Sequence, residues 1–272
     1  MDNHQNPNSR EPRGLSSISG VLANLGKKVK RICLDCGEEF EAAYLGRATR
    51  QCCDKCASKN AKEEEEDERI RQLAQREERY RAIVAFAQIP PKWEEVTFEN
   101  SNPDLNPRAF KVAKRYAERF TAQSPSLAFY SEGNGVGKTR MAACIANYVL
   151  HQWKMPVLFK KARDLMLDIR RTFSDRGELT EADILDKVLS VRLLVLDDVG
   201  LDPASQWLQA TYWTVFDRRL EWQLPVIITT TIPFEAPEGK VSLADRIGDG
   251  ALSRLVELCQ GNVIDMTGPD LR

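Results

Sequence analysis

The chain has 272 residues, 29% of them charged, and a formal net charge of −1 at pH 7. That length suits one α/β domain of ordinary size with a small unit in front, and the balanced charge excludes a global basic field, so any nucleic-acid contact must be a local patch. No apolar run approaches the ~18 residues of a membrane span, and the polar start MDNHQNPNSREPRG lacks a signal-peptide core; the expectation is a cytoplasmic protein with no membrane partner.

Residues 1–26 read as a disordered tail. The first informative stretch is CLDCGEEFEAAYLGRATRQCCDKC, where Cys33-x₂-Cys36 and Cys53-x₂-Cys56 stand sixteen residues apart. This spacing suits four thiolates around one tetrahedral Zn²⁺, with redox or incidental thiols as the competing reading. Gly37 follows the first pair and permits the tight turn that brings both thiolates to one ion. Using Cys52 in place of Cys53 would make the second pair C-x₃-C, which leaves Cys52 as a spare thiol. A ribbon this short cannot bury enough core to fold without metal, so the zinc is structural. Lys27, Lys28, Lys30 and Arg31 precede the cysteines, Arg47 and Arg50 lie among them, and Lys55 and Lys59 follow. These cations either serve a phosphate backbone or keep a small unit in solution, and a partner protein is the other candidate for the unit. Residues 27–60 form the expected zinc-binding unit.

The segment 61–87, AKEEEEDERIRQLAQREERYRAIVAFA, contains neither Gly nor Pro. It reads as a charged linker helix with a solvated face and an apolar seam of Ile70, Leu73, Tyr80, Val84 and Ala87, broken at Glu77. Pro90-Pro91 ends it, and a new amphipathic helix begins near Pro107. Residues 88–272 form the main domain.

Within that domain, FYSEGNGVGKTRMAA lies between an apolar run, SLAFY (126–130), and a helix-forming run, TRMAACIANYVLHQW (139–153). Strand, Gly-rich turn and helix is the context in which G-x-x-x-x-G-K-[ST] cradles phosphates: backbone N–H groups bind the anion, Lys reaches the β- and γ-phosphates, and the Thr hydroxyl holds Mg²⁺. Gly137, Lys138 and Thr139 are in place, whereas the first glycine is Glu132. Gly133 next door keeps the turn flexible, and Glu132 is expected at the strand exit with its side chain turned away from phosphate. The candidate nucleotide-binding set is Gly133, Asn134, Gly135, Val136, Gly137, Lys138, Thr139 and Arg140.

Such a site needs a second carboxylate at the end of a buried strand, and LLVLDD (193–198) supplies one. Asp197 is the expected Mg²⁺ ligand and Asp198 the residue that polarises water, in a place where many such ATPases carry Glu. A buried strand ending in a solvated Asp pair is the competing reading. The expected fold is α/β, a parallel sheet flanked by helices with these two strands adjacent.

The ordered run IPPKWEEVTFEN, the GKT loop, LLVLDDVG, VIITTTIPF and a closing GPDLR resembles the DnaC-like AAA+ helicase loaders, particularly phage and prophage forms with a zinc-binding front end. The resemblance covers residues 88–272. It implies an ATPase that loads a replicative hexameric DNA helicase onto single-stranded DNA and that self-associates through its AAA+ domains, with ATP, Mg²⁺ and Zn²⁺ as its cofactors. It implies that the asparagine that senses the γ-phosphate is replaced by Thr231, a hydroxyl with less reach. It also implies an arginine finger in LADRIGDGALSRLVE, at Arg254 in preference to Arg246, an Arg that on residues alone reads as a surface cation. Arg272 matches the terminal Arg of a G-x-S-x-R close, with Asp270 in place of Ser. Two alternatives share this core: an IstB-like transposition accessory ATPase, and a nucleotide-responsive zinc-containing adaptor with little turnover.

Overall fold

The computed structural model describes residues 26–45, 48–172, 180–266, 268 and 270; Arg47, Arg272 and most of the expected tail lie outside them. The chain divides into two compact units between Arg76 and Glu77.

The first unit is built on a hairpin, β1 (Lys28–Ile32) and β2 (Glu39–Ala43), paired antiparallel with Arg31 opposite Phe40. Its short strands bury little: Ala42, Cys33 and Cys53 are its buried apolar side chains among the described residues, and Ile32 and Leu34 are exposed. Four of the eight cations that could have faced a phosphate backbone pair with acids. Lys28 pairs with Glu41 and Lys30 with Glu39 across the hairpin, Arg50 pairs with Asp54, and Lys59 pairs with Glu63.

Helix α1 runs from Asp54 to Phe86, so it begins at the second cysteine pair and not after it. Its charged middle is solvated throughout, and the expected seam is only partly one. Ile70 and Leu73 are more than half exposed and Val84 is exposed. The packing falls to the last turns, where Ile83 meets the core of the second unit, Ala87 is buried just beyond the helix, and Tyr80 contacts His151.

The second unit contains a five-stranded parallel sheet in the order β4-β5-β6-β3-β7: β3 (Leu127–Tyr130), β4 (Val157–Lys161), β5 (Leu193–Asp197), β6 (Val226–Thr230) and β7 (Val263–Asp265). The phosphate-loop strand β3 and the carboxylate strand β5 are therefore not neighbours, contrary to expectation: β6 lies between them and pairs with both. All three strands are buried almost throughout and apolar until their last residues, where β5 ends in Asp197 and β6 in Thr229 and Thr230, as strands covered on both faces should be. The alternation still sorts side chains. Leu127, Phe129, Leu193, Val195 and Ile227 enter one core, while Ala128, Leu194, Leu196, Val226 and Ile228 enter the other.

The first core is covered by α3 (Pro107–Glu118) and α4 (Lys138–His151), the second by α5 (Ala162–Arg171), α6 (Glu181–Ser190), α7 (Gln206–Glu221), α8 (Leu243–Ile247) and α9 (Asp249–Cys259). A one-turn helix α2 (Pro91–Glu94) stands before them. Their starts are encoded locally. Asn106 caps α3, with Pro107 at its first position, and Ser205 caps α7. Thr180 with Asp183 and Ser242 with Asp245 close reciprocal capping boxes on α6 and α8. The segment LADRIGDGALSRLVE forms two helices, α8 and α9, separated at Gly248, whose φ of 90° only glycine adopts readily.

Arg219 of α7 is fully buried, and among the described residues its hydrogen bonds go to backbone carbonyls. Its guanidinium donates to the carbonyls of Val188 and Pro225, joining the end of α6 to the entry of β6.

Candidate functional sites

Parallel strands and their following helices place loops at the carboxyl edge of the sheet, where ligands of open α/β folds bind. Here β3 delivers the loop 131–137 and then α4. Gly135 and Gly137 have φ of 73° and 96°, the values that require glycine. Glu132 and Gly133 are not among the positive-φ residues, which is the physical reason a glutamate is tolerated where the motif has glycine. Glu132 is exposed and accepts a hydrogen bond from Tyr130 Oη at 3.4 Å. Gly133 N–H donates to Ser131 Oγ at 3.1 Å, and the exposed Asn134 follows it.

Lys138 is 7% exposed and donates through Nζ to Ser131 O at 3.1 Å and Gly133 O at 2.7 Å. The cation is thus held by the carbonyls of the loop it is expected to serve. Thr139 Oγ1 donates to Asp197 Oδ1 at 2.8 Å, which ties α4 to the end of β5 across the intervening strand. Asp197 is 3% exposed, and burial, with Asp198 adding like charge, pushes its carboxyl above the ordinary range. Hydrogen bonds from Thr229 and Thr139 and the nearby Lys161 cation oppose that rise. Asp198 has φ of 60°, a left-handed conformation uncommon for a side-chain-bearing residue and typical of strained functional turns.

Sequence reasoning missed Thr229. Its hydroxyl donates to Asp197 Oδ1 at 2.6 Å and accepts the Asp198 N–H at 2.9 Å, so one buried side chain fixes the first candidate carboxylate and the backbone of the second. Thr230 is buried and donates to Val199 O, whereas Thr231 lies one residue beyond the strand, half-buried.

Arg140 also differs from a free phosphate contact. Its guanidinium donates to Asn100 O at 2.7 Å and Ser101 Oγ at 2.8 Å, clasping the entry segment of this unit to α4. Between them lies a small cleft lined by Asn102, Leu105, Phe110, Val136, Gly137 and Met266 among others.

Arg254 on α9 is ion-paired to Asp217 of α7 at 2.7 Å and to Glu257 at 3.4 Å, with its side chain 38% exposed. Arg246 stands nearer the carboxylate strand: its Cβ lies 3.6 Å from where a β-carbon on Gly200 would sit, and among the described residues its buried Nε has no hydrogen-bond partner.

A profile of known families covers residues 41–272 and carries the description "IstB-like ATP binding protein". The chain belongs to this family. Among curated relatives, "Replicative helicase loader DnaC" of Buchnera aphidicola subsp. Schizaphis graminum is 34% identical over 125 residues, 45% of this chain and 50% of that protein. The Escherichia coli K12 protein of the same name is 29% identical over 163 residues, 59% of this chain and 64% of that protein. The chain thus spans about half to two thirds of the length of these relatives. The crystal structure of the DnaC helicase loader superposes with a TM-score of 0.55 at 21% identity, covering 65% of this chain and all of that one. The architecture of the second unit is the AAA+ fold.

In the first unit, the Sγ atoms of Cys33, Cys36, Cys53 and Cys56 all lie within 4.8 Å of one another. The turn after β1 does this: Cys33 N–H donates to Glu38 O, and Gly37, at φ 76°, donates to Cys33 O. Cys36 Sγ and Cys53 Sγ are 3.8 Å apart. Ligands about 2.3 Å from a tetrahedral zinc stand about 3.8 Å from each other, so the set fits that ion. Hydrogen bonds from the Cys36 and Cys53 backbone lower the Cys33 thiol to about 6, toward the thiolate a metal needs. The crowded neighbouring sulfurs raise the Cys36 and Cys56 thiols, so the geometry and not the thiol acidity marks the set. Cys52 instead faces Asp35, whose carboxylate raises it to about 11. Cys33, Asp35 and Cys52 form a second possible cluster, but with one carboxylate and only three donors it is the poorer zinc site.

Proposed function

We propose that the protein is an ATP-dependent loader of a replicative DNA helicase onto single-stranded DNA. The observation that carries the reading is the Thr139–Asp197–Thr229 chain of hydrogen bonds, which joins the phosphate loop, the carboxylate strand and the strand between them in one site. The two loader relatives support the choice of partner.

In this reading the loop amides of residues 135–139 and Lys138 bind the phosphates, and the cleft between Phe110, Val136 and Met266 accepts the base. Lys138 exchanges the carbonyls of Ser131 and Gly133 for phosphate oxygens. Thr139 and Asp197 hold Mg²⁺, which neutralises phosphate charge when bound. Asp198 orients the attacking water, Thr231 contributes a hydroxyl near the γ-phosphate, and Arg254 reaches the site of a neighbouring subunit. The four cysteines hold a structural zinc, and the zinc unit with α1 docks the helicase. No described helix is long and apolar enough to cross a membrane, in keeping with a cytoplasmic role.

The test is ATP turnover by purified protein with and without single-stranded DNA, for wild type, Lys138→Ala, Arg254→Ala and their mixture, together with co-purification on the host helicase. Turnover lost in each variant and partly restored on mixing, with helicase bound, supports the loader. A protein that neither binds nucleotide nor associates with the helicase would sink it. Target-DNA capture without helicase association would favour the transposition ATPase, and nucleotide binding without turnover the adaptor.

A further inference from the structure

The described residues after β7, Met266, Gly268 and Asp270, lie beside the phosphate loop and the segment that precedes α3. β7 pairs with β3, with Asp265 opposite Tyr130, and Met266 N–H donates to Tyr130 O at 2.8 Å. The chain therefore leaves the sheet beside the strand that feeds the loop. Met266 is buried, its methyl 3.9 Å from where a β-carbon on Gly137 would lie. Gly268 approaches the carbonyl of Leu105, and the carboxylate of Asp270 lies against Gly135, so close that a β-carbon at 135 would collide with it.

Gly135 is one of the two left-handed glycines that shape the loop, ahead of the first amides of α4. Successive amides in such a turn form a concavity for anions, reinforced by the helix N-terminus. A carboxylate carries the charge and acceptor oxygens such a seat takes. Asp270 is exposed, so the contact is one that a competing anion can reach. A serine at this position, as in the G-x-S-x-R close, would bring no charge.

We propose that Asp270 is a self-supplied anion that occupies the phosphate loop in the nucleotide-free chain and competes with the phosphates of the nucleotide. The proposal rests on reading this loop as the nucleotide site. Binding must then lift Asp270 from Gly135, so that occupancy of the site becomes a movement of the C-terminal tail.

The experiment is titration of the full chain with a fluorescent ATP analogue, for wild type, Asp270→Asn, Asp270→Ser and Lys138→Ala, with hydrogen exchange of the peptide carrying Asp270. Both Asp270 variants should bind about tenfold tighter, equivalent to ~1.4 kcal/mol. ATP should speed exchange of the tail in wild type, and in Asp270→Asn exchange should be fast before nucleotide is added. Equal or weaker binding by the Asp270 variants, or tail exchange that ignores ATP, overturns the proposal and leaves the nucleotide site intact. No nucleotide binding in any variant overturns that reading and the proposal with it.

Discussion

Thr229 and Asp197 share the shortest hydrogen bond of the candidate site, 2.6 Å from a hydroxyl to a carboxylate oxygen, with both residues almost fully buried. The same hydroxyl accepts the Asp198 N–H. Thr229 is thus a positioning residue: it fixes the face of one carboxylate and the backbone of the next, and has no need to touch the nucleotide. Thr229→Val keeps the shape and removes both bonds. Loss of such a supporting partner typically costs 10–100-fold in metal affinity or activity. We predict a fall of that size in Mg²⁺-dependent turnover, with Thr229→Ser close to wild type. If valine leaves turnover and its Mg²⁺ dependence unchanged, the two bonds do not support the site.

Counting along VIITTT from a family pattern points to Thr231, whereas register points to Thr229. Leu196 pairs with Ile228, so Asp197 comes level with Thr229, and this pairing does not exist until β5 and β6 are side by side. The same limit explains the strand order. Adjacency in the sheet is set by crossovers, so the motif strands β3 and β5 were each legible, and so was the VIITTT run as a strand beside β5, while its place between the two was not. What was legible is what local chemistry encodes: the two C-x₂-C pairs, the GKT turn at the start of α4, and Pro107 at the start of α3. The contacts of Arg254 with Asp217, Arg140 with Asn100 and Asp270 with Gly135 join distant parts of the chain and leave no mark in the local pattern.

Arg254 meets Asp217 at the surface of α7 and α9, both side chains in part exposed. A pair of this kind contributes about 0–1 kcal/mol, so little opposes exchange of the carboxylate for a neighbour's phosphate. An arginine finger is worth about 10³–10⁵ in turnover. Arg254→Ala should therefore lose at least about 10³-fold in turnover while its nucleotide affinity as isolated subunits stays within about twofold. Asp217→Asn should leave thermal stability within about 1 kcal/mol of wild type. An Arg254→Ala protein that hydrolyses ATP at the wild-type rate would return this residue to the status of a surface cation.

The cysteine cluster separates two neighbours in the chain. Cys53 belongs to the four-sulfur set, while Cys52 turns to Asp35. Metal analysis of purified protein should find one zinc per chain in wild type and in Cys52→Ser, and none in Cys33→Ser or Cys53→Ser. Because the unit buries so little, losing the metal should unfold the hairpin, and proteolysis should then cut between β1 and α1. Equal zinc content in Cys52→Ser and Cys53→Ser would reject the assignment of these sulfurs.

Asp197 is costly to the nucleotide-free fold. Its carboxyl is raised chiefly by burial, so the folded chain prefers it protonated. For a group raised in the folded state, the stabilising contribution is fully present below the unfolded value and is lost as pH rises through the folded one. At pH 7 the wild type lacks that contribution, and Asp197→Asn, which imitates the uncharged form, is relieved of it. The asparagine oxygen still accepts from Thr139 and Thr229. We predict that Asp197→Asn melts at a higher temperature than wild type at pH 7 without nucleotide. The difference should shrink as pH falls toward the ordinary carboxylate range, where the wild type also carries the proton. Mg²⁺-nucleotide should then stabilise the wild type and not the variant, because the ligand that repays the buried charge is gone. A variant that melts below wild type at pH 7 and gains the same stabilisation from Mg²⁺-nucleotide would remove Asp197 from the metal site.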